Sequence, residues 1–256
     1  EGTKTIHIAE LSPLWRDEEL IAKCDLSLPE LEHPRAASFM EEHIRSGAWF
    51  NNAPLQQAVC GQILKILDQK GQCPSVVNMT DDVEGGWDDN TYRILAQTTL
   101  LDHSLNVAEQ VIRLLGESES WHVIPDTMIA ALGHDLGKLE AMRGYLYSLG
   151  EHPLAAGRPL AGIPGFKELP KKEEILRAIK LHHKIPNGLL GKTLKKADQL
   201  ARQKELEEIV GRHEDIPEPM ADQSPDSLVQ HQTEASKNAA LDPARQNAAS
   251  NAAAAW

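Results

Sequence analysis

Nowhere does the chain hold a run of about 18 apolar residues, so no segment has the length and character to cross a bilayer as a helix. Cysteine is scarce. Cys24, Cys60 and Cys73 are scattered and form no CxxC pair, which speaks against a disulfide framework and for reduced thiols. The opening stretch EGTKTIHIAELSPLW lacks the charged-then-apolar pattern of a secretory signal, and a cytoplasmic location is the expectation. Positive charge is also in deficit: Lys+Arg number 26 against 38 Asp+Glu, a formal net charge of -12. Such a balance argues against broad binding to nucleic acid or to an anionic membrane. Internal repeats are absent as well.

What is present is an apolar content of 41% in 256 residues, enough for a sizeable core. The apolar spacing is helical almost throughout, and the expected fold class is all-α. Residues 1–85 read as an N-terminal helical region, because PRAASFMEEHIRSG and NAPLQQAVCGQILKILDQKG both carry helical spacing and end at Gly. KTIHIAEL reads as a short strand, and the acidic, Gly-Gly-containing MTDDVEGGWDDN as a linker or exposed loop. Within residues 86–212 helices are expected at roughly 91–116, 125–137, a short one after Pro153, 171–183 and 192–211. Residues 213–256 shift to Ala, Asn, Gln and Ser and read as a peripheral low-complexity tail. Between Lys167 and Lys204 there are 11 Lys/Arg against 4 Asp/Glu. That stretch is either a solvated helical face or an electropositive rim that draws a phosphate towards a site.

The chemistry concentrates on helix faces that should have been purely apolar. In TYRILAQTTLLDHSLNVAEQVIRLLG, the residues Leu100, His103, Val107, Val111 and Leu114 recur at helical spacing, so His103 points inward. ALGHDLGKLEAM then places Ala130, Ala131, His134, Asp135 and Lys138 close on one side. EEILRAIKLHHK aligns Ile175, Ala178, Ile179 and His182, and GKTLKKADQLAR aligns Leu194, Ala197, Asp198 and Ala201. One buried His is more often a hydrogen-bonded core residue than a ligand. Four helices that each turn a ligand-type side chain inward are another matter, since unpartnered buried polar groups cost several kcal/mol. Imidazole and carboxylate together suit Mn, Fe, Zn, Ni or Co, and a carboxylate can bridge two ions.

In this order, LLDHSLNVA, GHDLGK, EHPLAAG, IKLHH and KKADQLAR resemble the motifs of the HD superfamily of metal-dependent phosphohydrolases, over about residues 98–204. The resemblance implies an HD-domain helical bundle core with an N-terminal helical appendage. It implies His103, His134, Asp135 and Asp198 as ligands of a first metal, and His152 and His182, with Asp135 bridging, as ligands of a second. The cofactor implied is one or two divalent transition metals. His152 precedes Pro153 and is expected at a helix entrance. His183 is open between ligand, partner of a ligand and substrate contact. Lys138, with Asp135 in the catalytic set, would hold phosphate, while exposed Lys184, Lys192, Lys195 and Lys196 would steer anions.

The implied activity is hydrolysis of a phosphoester, a monoester or a diester, through a metal-activated water, with a small phosphorylated substrate such as a nucleotide. Two departures narrow the resemblance: KIPNGLLGK follows the paired histidines where HD-GYP phosphodiesterases carry Gly-Tyr-Pro, and Thr99 stands where three-metal members carry Glu. Two metals are therefore expected, not three. His7, His33, His43, His122, His213 and His231 fall outside the pattern. The rival readings are a di-iron HD-fold oxygenase and a non-catalytic nucleotide-sensing or interaction module of nucleic-acid-transfer machinery.

Overall fold

The computed structural model describes residues 26–76, 93–144 and 152–214, with side chains to residue 211. Chain contacts divide the protein into Glu1–Ile216 and Pro217–Trp256, and all described residues belong to the first unit. KTIHIAEL, MTDDVEGGWDDN and the tail beyond residue 214 lie outside them.

The described residues are all-α. Their helices are α1 (Pro34–Phe39), α2 (Pro54–Lys70), α3 (Leu100–Leu115), α4 (Ile124–Gly133), α5 (His152–Ala155), α6 (Gly157–Ala161), α7 (Lys172–Leu181) and α8 (Gly188–Glu214). No strand forms among them, and the one β-bridge pairs Pro74 with Thr99. No described helix is long and apolar enough to cross a membrane. Cys60 and Cys73 are buried free thiols; Cys24 lies outside the described residues.

Helix α4, IPDTMIAALG, explains the arrangement. It is apolar on every side, and a helix with no polar face has to be covered all round. Every one of its residues is buried, with α2, α3, α7 and α8 packed against it. The polar exception at its start, Asp126, is met by Lys171 Nζ at 3.1 Å and Gln56 Nε2 at 3.3 Å. Helix α3 turns Leu100, Val107 and Val111 to the core, but Leu114 is exposed and Leu115 is buried in its place. The apolar stripe at this end follows the i, i+4 series from Val107.

Ile63, Leu64 and Leu67 of α2 belong to the same apolar core as Leu101, Ile129 and Leu194. The boundary drawn at residues 85 and 86 lies outside the described residues, and the described residues on its two sides share one core. After α2 the chain runs beside the entrance to α3: Ser75 N donates to Thr98 O, Leu100 N to Cys73 O and Leu101 N to Gly71 O. This brings Ser75, fully buried, next to the inward-facing polar residues.

Thr99 caps α3. Its hydroxyl accepts from Asp102 N at 3.0 Å and donates to Asp102 Oδ2 at 2.7 Å. The position at which a third metal would need a carboxylate thus serves the helix end. Thr99→Ala is expected to lower stability by about 0.5–2 kcal/mol, the usual effect of deleting an N-cap, and to leave metal stoichiometry unchanged. Urea denaturation and metal analysis of the same variant check both parts.

Candidate metal centre

The polar residues of the four inward faces meet at one place. Asp135 is 1% exposed and sits just past the end of α4. Its Oδ2 has His134 Nε2 at 3.4 Å and His103 Nε2 at 3.7 Å. Its Oδ1 has His152 Nε2 at 3.4 Å and His182 Nε2 at 3.8 Å. Asp198 Oδ1 stands 3.2 Å from His103 Nε2 and 4.0 Å from His134 Nε2. His183 is exposed, and its Nε2 lies 3.1 Å from His152 Nε2. Every residue assigned above to the first or second metal is therefore in this cluster, whereas His33, His43 and His122 take no part in it.

Local chain geometry aims the imidazoles. Helix α4 ends at Gly133, short of the expected residue 137, and α7 ends at Leu181. His134 and His182 occupy the two equivalent cap positions. Each donates its Nδ1 proton to the carbonyl three residues back, His134 to Ala131 O at 2.8 Å and His182 to Ile179 O at 2.6 Å. The bond adds a partner to a last-turn carbonyl, on α7 beside the backbone N–H of His182 that Ile179 O also accepts, and fixes the ring with Nε2 turned inward as a bare lone pair. Both helices also point their negative C-terminal ends at this spot, which favours a cation there. His103 has the same tautomer by another route, with Nδ1 2.9 Å from Glu205 Oε1. His152 starts α5, ahead of Pro153, as expected.

The burial of these donors tests whether a metal fits. His103 Nε2, His134 Nε2, His182 Nε2 and Asp135 Oδ1 are all sealed from solvent without a hydrogen bond. His103 Nε2 is near Asp198 Oδ1 but off the hydrogen-bonding line. Three converging imidazole lone pairs and a carboxylate oxygen, all unsatisfied, are expensive as a core and apt as a coordination shell. The donor set fits a divalent transition metal.

Charge supports the same reading. Burial pushes the Asp135 carboxyl up, but His134 and Lys138 outweigh it and hold the group well below the usual carboxylate range. Asp198 behaves alike: burial raises it, and His103 and His134 bring it well down. Burial and then His183 and His134 push the His182 imidazole well below its ordinary value, keeping it neutral and able to ligate. For His103, burial and Arg202 act downward, yet Glu205 and Asp198 prevail and the ring is raised.

Lys138 occupies a place the helical reading did not foresee. Because α4 stops early, Leu136–Lys138 form a tight turn, and Lys138, 2% exposed, folds back onto Asp135. Its Nζ is 3.0 Å from Asp135 Oδ2 and donates to Ser75 O at 3.0 Å. It holds the carboxylate between the two imidazole sets, in place of standing one turn farther along a helix. Lys195 is likewise engaged, with Nζ donating to Lys184 O at 2.7 Å, so Lys184, Lys192 and Lys196 are the exposed members of the lysine group.

Glu205, Arg202, Asn106 and Ser75 were not picked out from the sequence. Arg202 reaches Ser75 Oγ at 2.7 Å, Ser75 O at 3.2 Å and Glu205 Oε2 at 3.1 Å, with Nη2 3.8 Å from Asp135 Oδ2. Burial raises Glu205, and His103 and Arg202 lower it to about 2. A signal was present: Asp198, Arg202 and Glu205 follow an i, i+4, i+7 series on α8, and His103 and Asn106 an i, i+3 pair on α3. Two surface pockets, of about 380 and 280 Å³, share no residue with the centre. Its solvent side is marked by exposed His183 and by the Asp198 side chain, 13% exposed.

Compared with known proteins, the chain matches no family model, no curated protein and no solved structure.

Gly137 joins the two halves of the centre, since a Cβ added there would overlap the His152 carbonyl oxygen and crowd Ala155. Gly137→Ala is expected to displace His152 and to cost one equivalent of bound metal, with helical content retained by circular dichroism. Retention of two equivalents would take His152 out of the ligand set. Lys138→Ala strips a buried partner from Asp135 and is expected to destabilise the metal-free protein by about 3–5 kcal/mol in chemical denaturation.

Proposed function

We propose that the chain is a metal-dependent phosphohydrolase of the HD type, acting on a small phosphorylated substrate. One observation carries the reading: the two oxygens of Asp135 face two different pairs of imidazoles, Oδ2 towards His103 and His134, Oδ1 towards His152 and His182. A carboxylate so placed is suited to bridging two ions. His103, His134 and Asp198 would hold one of them, and His152 and His182 the other, with His183 beside the second.

Bound divalent metal would supply Lewis-acid charge that lowers the pKa of water and stabilises the phosphoryl oxygens. The chain's own groups do the rest. His134 and Lys138 keep Asp135 ionised, Arg202 stands 3.8 Å from the same oxygen, and Ser75 O ties the two cations together. With neutral imidazoles, Asp135, Asp198 and Glu205 exceed Lys138 and Arg202 by one negative charge. Such a centre attracts metal first, and two divalent ions make it positive towards an anion. His183 Nε2 lies 3.1 Å from His152 Nε2; with His152 on a metal, exposed His183 would be released from that contact to join the second ion or to touch the substrate. Lys184, Lys192 and Lys196 add positive potential on α8 and the loop before it, which favours a substrate with several phosphate charges, a nucleotide being the form we propose.

The test begins with metal analysis of full-length protein purified without chelator, followed by a panel of phosphomonoesters, phosphodiesters and nucleotides. The expected result is up to two equivalents of divalent metal and hydrolysis that a chelator abolishes and Mn²⁺ restores. His182→Ala should retain one equivalent and lose turnover. Absence of metal uptake, or metal uptake with no hydrolysis anywhere in the panel, would sink the proposal; iron with oxygen-dependent turnover would assign the centre to oxygenase chemistry instead.

A further inference from the structure

Behind His103 lies a hydrogen-bonded series that runs to the first helix of the structure. Arg35 of α1 donates through Nη2 to Asn106 Oδ1 at 2.5 Å and through Nη1 to Asp102 Oδ1 at 2.7 Å. Asn106 Nδ2 donates to Glu205 Oε1 at 2.7 Å, and the same oxygen is 2.9 Å from His103 Nδ1. The polarity of this series is fixed at both ends. Guanidinium can only donate and carboxylate can only accept, so the Asn106 amide has one satisfactory orientation and His103 one satisfactory tautomer. Turning the amide over would set NH₂ against guanidinium and oxygen against carboxylate.

We infer that Glu205 is a positioning residue for metal capture: it accepts a hydrogen bond from His103 Nδ1–H and thereby commits the Nε2 lone pair to the centre, with Asn106 and Arg35 holding it in place. The inference rests on the reading of the cluster as a metal site. It distinguishes the two halves of that site. His134 and His182 are aimed by main-chain carbonyls, whereas His103 alone among the three is aimed by a carboxylate. The half built on His103 therefore depends on a charge delivered by α8 and steadied from α1, and the half built on His152 and His182 does not. Glu205 is 2% exposed and touches neither the inward ring nitrogen nor Asp135, so it acts through His103.

The experiment is calorimetric titration of the metal-free full chain with Mn²⁺, wild type against Glu205→Gln and Arg35→Ala, alongside ¹⁵N NMR of the histidine rings at mildly alkaline pH. In the wild type the His103 proton is expected on Nδ1 before any metal is added. Glu205→Gln should weaken one Mn²⁺ equivalent by about 10–100-fold, the usual effect of losing a ligand's outer partner, and leave the other unchanged. Arg35→Ala should weaken the same equivalent by a smaller factor, since it acts through Asn106. If the wild type takes up no Mn²⁺, the reading of the centre fails. If it does, and Glu205→Gln binds both equivalents as tightly, the role of Glu205 fails alone. A wild-type His103 protonated on Nε2 overturns the inference even where a variant does not fold.

Discussion

A carboxylate with no exposure to water, pressed between imidazoles, is the constraint around which this molecule is arranged. Asp135 stays ionised because His134 and Lys138 stand against Oδ2 and outweigh its burial, with His152 on the other oxygen adding to them. An isolated buried carboxylate would take up a proton. Of its two cations Lys138 is buried and Arg202 largely so, and both bond to the carbonyl of Ser75. The segment after α2, the turn after α4 and the face of α8 are thus tied to a single functional group. Deleting any one of them leaves charge without a partner, which in a low-dielectric interior costs far more than a lost surface contact.

Packing supplies the platform for that charge. Because α4 is apolar all round, four helices have to surround it, and its end is then necessarily buried too. A helix that stops inside a protein leaves carbonyls without partners. His134 meets one of them with its own Nδ1, and on α7 the His182 Nδ1 adds to a carbonyl that its own backbone N–H also reaches. One hydrogen bond therefore does two things: it finishes a helix and it aims a nitrogen that could hold a metal. That histidines occupy both cap positions follows from what each side chain offers, since few others can donate to a helix end and present a lone pair a few ångströms farther on.

Legibility in the sequence followed the same physics. The residues of the centre could be read because helical periodicity sets His103, His182 and Asp198 among apolar neighbours, and the structure buries Val107, Ile175, Ala178, Leu194 and Ala201 on those faces. His134 and Asp135 were legible from their place beside Ala130 and Ala131, and His152 came through the resemblance of the EHP motif and not through spacing. Lys138 was misplaced for a local reason: a uniform helix through 137 puts it one turn beyond His134, whereas the chain turns tightly at Leu136–Lys138 and returns it to Asp135. Nothing in the apolar pattern marks that turn, because Leu136 and Leu139 are buried on either side of it. Glu205 and Arg202 escaped notice because a charged residue on a long polar helix looks like a solvated one. Their partners, Ser75 and Asn106, come from distant parts of the chain, and such pairing is invisible without the fold.

The N-terminal segment shows the limit of dividing a chain by motif. Its helices read as an appendage because no ligand-type residue stands out in them, yet Ile63, Leu64 and Leu67 are wholly buried in the core that holds the centre. Ser75 and Arg35 then reach the polar cluster, one directly and one through Asn106. Motifs identify the candidate ligand side chains, and those sit on α3, α5 and α8 and at the ends of α4 and α7. The groups that keep those side chains ionised, oriented and covered are chosen by what packs outside them, and here that shell includes chain from well before the first motif. A site with several buried charges needs a shell of satisfied partners at least as much as it needs the ligands themselves, so the functional unit of this protein is the shared core and not the motif-bearing stretch alone.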